Sequence, residues 1–333
     1  MSLNLVGLGH FHPENEITNA FLESLDIGTS DEWIMERVGI RSRRTALPLD
    51  YIRTTKNADP ARALEAAELT QAQMGARAAG MALQRAGIDA SQVGLVIGGG
   101  CAPDTVTPAD AANLARELGV EAPAFDVMSA CTSFYAGIYA LSLMAPERLP
   151  DYVLVVAMEG MTRTVDYRDR SSAVLWGDAA VAAVISTKHA GRAQILGPPL
   201  ETDANGADKV VIPRLGHFDQ EGRTVQMFAI KKTSAKLTAL RETWAEDDRP
   251  LHFIGHQANL RMLESVCKRC DVAPELHHSN AEWFGNTGAA SGASVLSQSW
   301  NKWKAEDDVA MVGVGAGLTW GSYLVRFEAE AAA

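Results

Sequence analysis

Three short loops in this chain pair a chemically useful side chain with neighbours small enough to admit a substrate. The first is Phe125-Asp126-Val127-Met128-Ser129-Ala130-Cys131-Thr132-Ser133-Phe134, where an apolar, strand-like start runs through small residues into the helical pattern Tyr135 to Met144. That order puts the Cys131 thiol at a helix N-terminus, where the macrodipole and free backbone N–H groups favour a thiolate. A free Cys on its own is more often a buried small hydrophobe, so a nucleophile needs partners. Phe253-Ile254-Gly255-His256-Gln257-Ala258-Asn259 supplies one, delivering His256 from a short strand into a loop before an amphipathic helix. Phe284-Gly285-Asn286-Thr287-Gly288-Ala289-Ala290-Ser291 supplies another, a side-chain amide among small residues. Together they would provide a nucleophile, a proton handler or oxyanion donor, and a second neutral donor. Spacing alone does not prove that the three meet.

The elements that must position them are legible as alternating patterns. Gly94 to Gly100, Tyr152 to Ala157, Ala179 to Ile185 and Val309 to Gly315 are short, β-rich apolar runs and are expected to form buried strands. Leu69 to Ala86, Ala109 to Leu118 and Asn259 to Cys270 have helical patterns. Alternation of this kind predicts an α/β layered fold. Thr45 to Leu69, with its prolines and mixed charge, reads as a surface excursion that is partly helical near its end. Leu196 to Gly222, rich in Gly, Pro and Asp, is the best boundary candidate, and the final Glu-Ala-Glu-Ala-Ala-Ala reads as a frayed tail.

Composition narrows the class. The 333 residues are 47% hydrophobic and 21% charged, the balance of a globular protein with a buried core. Lys and Arg number 30 against 41 Asp and Glu, and the net charge of -11 argues against a nucleic-acid-coating body. No basic leader precedes an apolar run, and nowhere do 18 apolar residues follow one another, so a cytoplasmic address without a membrane span is expected. Cys101, Cys131, Cys267 and Cys270 are then expected as reduced thiols. Cys267 and Cys270 form a lone CxxC without a second pair, and His277 and His278 lack a matching acidic cluster. These read as ordinary helix and loop residues, and no metal site is expected.

The three loops resemble those of the β-ketoacyl-acyl carrier protein synthase III branch of the thiolase superfamily. The likeness begins at Thr29-Ser30-Asp31-Glu32-Trp33-Ile34 and Arg37-Val38-Gly39-Ile40-Arg41. It continues through the Cys131 loop, Asp169 to Asp178, His256-Gln257-Ala258-Asn259, the Asn286 loop and Gly313 to Gly321. Six motifs in family order cover nearly the whole chain. The resemblance implies a five-layer αβαβα fold built from two duplicated βαβ-rich halves, 1–190 carrying the Cys and 191–333 carrying the His and Asn, and a homodimer. It implies that Cys131 takes an acyl group from acyl-CoA, which is a substrate, so that no cofactor is needed. A malonyl-type carrier thioester then loses CO2 and condenses with it. His256 and Asn286 would stabilise the enolate, and the backbone N–H groups of Cys131 and Ala316 would form the oxyanion hole.

The same likeness assigns Trp33, Arg37 and Arg170 to coenzyme A, Thr107 and Trp176 to the acyl pocket, and Arg261, Lys268 and Arg269 to an acidic carrier protein. A solvated helix face is nearly as good an account of the last three, because charge clusters of this size are common. Thr107 stands where acetyl-restricted members have a bulky Phe, which leaves room for a medium or long acyl primer, while Trp176 replaces a Phe and fills space nearby. Thr132-Ser133, Ser171 and Ala316 also depart from the common pattern. With the long Thr45 to Leu69 segment, they favour a synthase of specialised fatty acid or polyketide metabolism. The alternative on the same fold is an acyltransferase that passes the acyl group to an oxygen or nitrogen nucleophile without condensation.

Overall fold

Glycine-bounded apolar runs become the strands of the computed structural model, which describes residues 3–214 and 216–328; of the tail, 329–333 lie outside the described residues. The strands that matter for the site are β1 (Leu3–Phe11), β2 (Val93–Gly99), β3 (Ala124–Asp126), β4 (Tyr152–Glu159), β5 (Ala179–Ser186), β6 (Ala193–Leu196), β7 (Leu251–Gly255), β8 (Asp308–Gly315) and β9 (Thr319–Phe327). Among the described residues they form one path, β7-β8-β9-β6-β1-β5-β4-β2-β3, with Leu200–Thr202 added beside β9. In β5 every residue is buried, because the strand is covered on both faces and needs no alternation. The interval between β5 and β6 contains residue 190, and the path stays continuous there because β6 pairs with both β1 and β9.

The helices that frame the site are α1 (Asp31–Arg37), α2 (Gln71–Ala86), α3 (Asp110–Leu118), α4 (Ser133–Ser142), α5 (Gly222–Trp244), α6 (Leu260–Arg269) and α7 (Ser291–Gln298). On one side α2 packs on β1, β4 and β5, and α3 on β2 and β3. On the other, α5 packs on β7, β8 and β9 and carries α6. Between the two sets of strands lie α4, touching β2, β4 and β9, and α7, touching β1, β5, β7 and β8. The result is a thiolase-like α/β fold in five layers, with α4 and α7 as the central one. Such helices must be apolar nearly all round, and seven residues of α4 are buried, Ser133 to Ile138 and Leu141.

Local signals set the helix ends. Thr70 and Gln73 form a capping box at the start of α2, and Gly87 closes it in the left-handed region at φ 67°. Asn259 of the His-Gln-Ala-Asn motif accepts the Met262 N–H and caps α6. The Thr45 to Leu69 segment differs from the expected surface excursion. It holds two helices, Leu49–Thr55 and Pro60–Ala66, the second capped by Asp59 with Pro60 in its first turn. Leu47, Ile52 and Ala63 are fully buried in the apolar cluster that also contains Cys131. Three apolar side chains at these spacings are too few to signal burial from sequence, yet they fasten the segment over the nucleophile.

Candidate active site

Cys131 leaves β3 through a short loop and sits one turn before α4 proper, 8% exposed. Ala130 before it has φ 48°, a left-handed conformation that costs a side-chain-bearing residue about 1–3 kcal/mol and here aims the thiol into the site. The end of β8 presses against this turn. A Cβ at Gly315 would lie 3.2 Å from the Cys131 amide nitrogen and 3.3 Å from its Cβ, so only glycine lets β8 come this close. Thr132 Oγ1 meets Thr319 Oγ1 at 2.7 Å, and the Thr319 hydroxyl also donates to the Ala316 carbonyl at 2.9 Å. The nucleophile turn and the Gly315–Thr319 turn are therefore tied together.

His256 follows β7 and is 5% exposed; its Nδ1 is within 2.9 Å of Ser291 Oγ at the start of α7. Gln257 next to it is fully buried. Its Oε1 accepts from Ser279 Oγ, Asn280 N and Ala281 N, which fixes the chain leading to the Asn286 loop. Asn286 is 6% exposed. Its backbone N–H donates to Leu175 O at 2.8 Å, its carbonyl accepts from Gly177 N at 3.0 Å, and its Oδ1 accepts from Gly288 N at 3.0 Å. Gly285 at φ 66° lets this loop pass Leu175 O, which a Cβ would approach to 2.6 Å. Behind it, the buried Arg43 guanidinium holds Val174 O and Asn19.

Two residues not singled out from sequence complete the site. Cys101, after β2, places its Sγ 3.7 Å from Cys131 Sγ. Glu159, the last residue of β4, is fully buried beside them and accepts from Cys101 N at 3.0 and 3.1 Å and from Ala289 N at 2.7 Å, joining the Cys101 loop to the Asn286 loop. The signal for Glu159 was present: a charged residue ends an otherwise apolar buried strand. Cys101 had no such mark.

The electrostatics divide these groups. The Cys131 thiol is held well below its ordinary value by a hydrogen bond from Cys101, against burial, with further help from the hydrogen bond and charge of His256. The Cys101 thiol is correspondingly pushed well up, because it donates to Cys131 and is buried beside it. Burial pushes Glu159 up to about 8, so near neutrality it is largely an uncharged acid and does not oppose the Cys131 thiolate. The Cys131 thiol thus lies beside the buried His256, and the Cys131 turn packs against the Gly288–Ala290 end of the Asn286 loop, an arrangement suited to nucleophilic chemistry at a cysteine.

The other sequence candidates fall around this centre. Exposed Arg37 and Arg170 lie over the half-buried Trp33 ring at 5.9 and 4.8 Å. Trp176 is buried edge-on against Phe218 at 4.6 Å in the Cys131 cluster. Thr107 is exposed on the loop after β2 and is not brought to Cys131 within the chain. Lys268 and Arg269 are exposed, whereas Arg261 bonds Met35 O at 2.8 Å and Glu264 at 2.9 Å and so helps to anchor α1. Cys267 is half-buried on α6, and Cys270, the residue capping its C-terminus, turns its Sγ towards Ser234 O. His278 Nε2 meets His252 Nδ1 at 3.0 Å beside Trp303, away from the site. No described helix is long and apolar enough to cross a membrane.

The fold defines the class, a thiolase-fold condensing enzyme. Residues 125–204 match the family model for 3-oxoacyl-[acyl-carrier-protein] synthase III, and residues 243–327 match the model for its C-terminal part. The β-ketoacyl-[acyl-carrier-protein] synthase III of Oceanobacillus iheyensis is 30% identical over 331 residues, 98% of this chain and 99% of that protein. The crystal structure of 3-oxoacyl-(acyl carrier protein) synthase III, FabH, from Pseudomonas aeruginosa PAO1 superposes with a TM-score of 0.85 at 30% identity and full coverage of both chains. The priming β-ketosynthase of the R1128 polyketide pathway gives 0.82 at 29% identity, over 98% of this chain and 96% of that one. The chain belongs to the β-ketoacyl-acyl carrier protein synthase III family and is a transferase of that type.

Proposed function

We propose that this enzyme primes chain synthesis by decarboxylative condensation, loading a medium or long acyl group from acyl-CoA and extending it with a malonyl-type carrier thioester. The observation that carries the reading is the Cys131 thiol, held low with help from His256, on a turn that packs against the end of the buried Asn286 loop. In the first step the thiolate attacks the acyl-CoA carbonyl, the new carbon–sulfur bond forms, the bond to coenzyme A breaks, and coenzyme A departs as its thiolate, which takes a proton from water. The tetrahedral oxyanion is held by the Cys131 and Ala316 N–H groups. In the second, the malonyl carboxylate leaves as CO2, and the resulting enolate oxygen is held by His256 and Asn286. The enolate carbon attacks the acyl carbonyl and the Cys131 thiolate is released. Retention of both His256 and Asn286 favours this over simple acyl transfer.

Coenzyme A would rest its adenine on Trp33 between Arg37 and Arg170. A long primer is supported by a cavity of about 460 Å³ beside Cys101, lined by Ala61, Leu64, Val106, Ile212 and Pro213 and floored by the Arg163–Asp104 ion pair. Part of its wall is the helix Pro60–Ala66, from the segment that exceeds the family norm. The unpaired edge of β3, with Phe125, Met128 and Val106 exposed, supports a homodimer formed strand to strand, in which Thr107 would face the partner's pocket. The carrier would approach along Lys268 and Arg269, leaving Arg261 to hold α1. The likeness to a polyketide-priming ketosynthase supports the specialised pathway.

Intact-protein mass spectrometry with acyl-CoAs of graded length, followed by a malonyl-carrier chase, tests the reading. Selective gain of longer acyl masses, cleared by the chase with CO2 release, supports it. Stable loading cleared only by an alcohol or amine would replace it with acyl transfer.

A further inference from the structure

The second thiol in the site forms no bond to substrate in the condensation, where it only supports the Cys131 thiol by a hydrogen bond, and its position allows more. Cys101 and Cys131 stand 3.7 Å apart, sulfur to sulfur, on the loop after β2 and the turn before α4. Each loop is anchored by its own bonds, Cys101 by its N–H to Glu159 and the Cys131 turn through Thr132 to Thr319. We propose that Cys101 is the resolving thiol of an oxidative modification site, capturing an oxidised Cys131 as an intramolecular disulfide and so guarding the nucleophile against irreversible oxidation.

The chemistry balances with hydrogen peroxide as the oxidant. Cys131 thiolate attacks one peroxide oxygen; a sulfur–oxygen bond forms, the oxygen–oxygen bond breaks, and hydroxide leaves to become water. Cys101 sulfur then attacks Cys131 sulfur. The sulfur–sulfur bond forms, the sulfur–oxygen bond breaks, and the hydroxyl leaves as water with the Cys101 proton. Two thiols lose two electrons, and one peroxide becomes two waters. A dithiol reductant reverses the product by exchange.

Three features favour the second step. Closing 3.7 Å to the disulfide length of about 2.05 Å is within reach of side-chain rotation at two loop residues. The hydrogen bond to Cys131 and that residue's charge hold the Cys101 thiol up, and both vanish once Cys131 is a neutral sulfenic acid, so resolution is released only after oxidation has begun. The cavity described above is lined by Cys101, which gives small solutes a path to it when no acyl group fills the pocket. The other two cysteines are differently placed: Cys270 is buried against Ser234 O, and Cys267 is half-buried on α6.

The test treats the full-length protein, with no acyl-CoA present, with a small molar excess of hydrogen peroxide and reads intact mass and peptide maps before and after dithiothreitol. The expected wild-type product has lost two hydrogens, carries a Cys101–Cys131 linked peptide, and returns to the free thiols with dithiothreitol. In Cys101→Ser, Cys131 should instead gain two or three oxygens that dithiothreitol does not remove. The wild-type peptide map stands alone if the variant does not fold. Wild-type protein that accumulates sulfinic or sulfonic acid at Cys131 without the linked peptide would overturn the proposal. No acyl donor is involved, so a failure here is distinct from a failure of the condensing reaction.

Discussion

At the scale of single residues the site is a division of labour among buried groups of opposite demand. Cys131 must ionise and Glu159 must not, and both are surrounded by apolar walls. The difference lies in donors: Cys131 accepts from Cys101 and His256, whereas the backbone donors to Glu159 do not offset its burial. Iodoacetamide alkylation of Cys131, followed by peptide mass, should therefore stay fast below the usual thiol range, and Cys101→Ala should move its inflection to higher pH; an unmoved inflection would remove Cys101 from the account. Glu159 gives a second test. Its folded value of about 8 lies above the free value of 4.5, so the fold binds the proton more tightly, and this contribution is lost as pH rises through that window. Urea unfolding at pH 5 and pH 8.5 should show the wild type losing stability relative to Glu159→Gln at the higher pH. Asn286→Ala should keep acyl loading within a few-fold and slow CO2 release by about 10²–10³, the loss typical of one oxyanion donor. Loss of loading alone would reverse the assignment of Asn286.

Elements position these residues by close approach rather than by long side chains. The end of β8 rests on the nucleophile turn through Gly315, and the Asn286 loop rests on the Leu175 to Gly177 strand-like turn through Gly285. Gly315→Ala adds one methyl where neighbouring atoms would stand 3.1 to 3.3 Å away, including Thr132 N. Overpacking of this kind costs about 1–3 kcal/mol and shifts backbone. We expect a folded protein whose melting temperature falls by several degrees while kcat falls far more than KM rises; an unchanged kcat would show that the turn is not part of the oxyanion site. α6 illustrates the reverse case. Its buried Met262, Leu263 and Val266 join the apolar cluster with α5, which leaves Lys268 and Arg269 outward and turns Arg261 back to α1.

For the whole molecule, the layers place both the chemistry and the edge. Central helices α4 and α7 each carry a site residue at their N-terminal end, Cys131 just before one and Ser291, the partner of His256, beginning the other. Among the described residues the far end of the strand path leaves the outer edge of β3 unpaired, and Phe125 on it is 39% exposed. Phe125→Asp should convert a dimer in analytical ultracentrifugation to a monomer and depress turnover with it. A wild-type protein that sediments as a monomer would exclude this interface.

The sequence by itself determined the alternation of strands and helices, because apolar runs and capped amphipathic stretches are local signals. It also marked Cys131, His256 and Asn286, since each lies in a loop of small residues that nothing but close approach requires. The helices of the Thr45 to Leu69 segment cover the site on three buried apolar residues, and their docking depends on surfaces contributed by distant parts of the chain. Only the tertiary structure decided that Cys101, thirty residues from Cys131 in sequence, touches it, and that burial pushes Glu159, bonded to the Cys101 N–H, up to about 8. Contact and burial of this kind are properties of packing, and no local pattern of residues encodes which two loops meet.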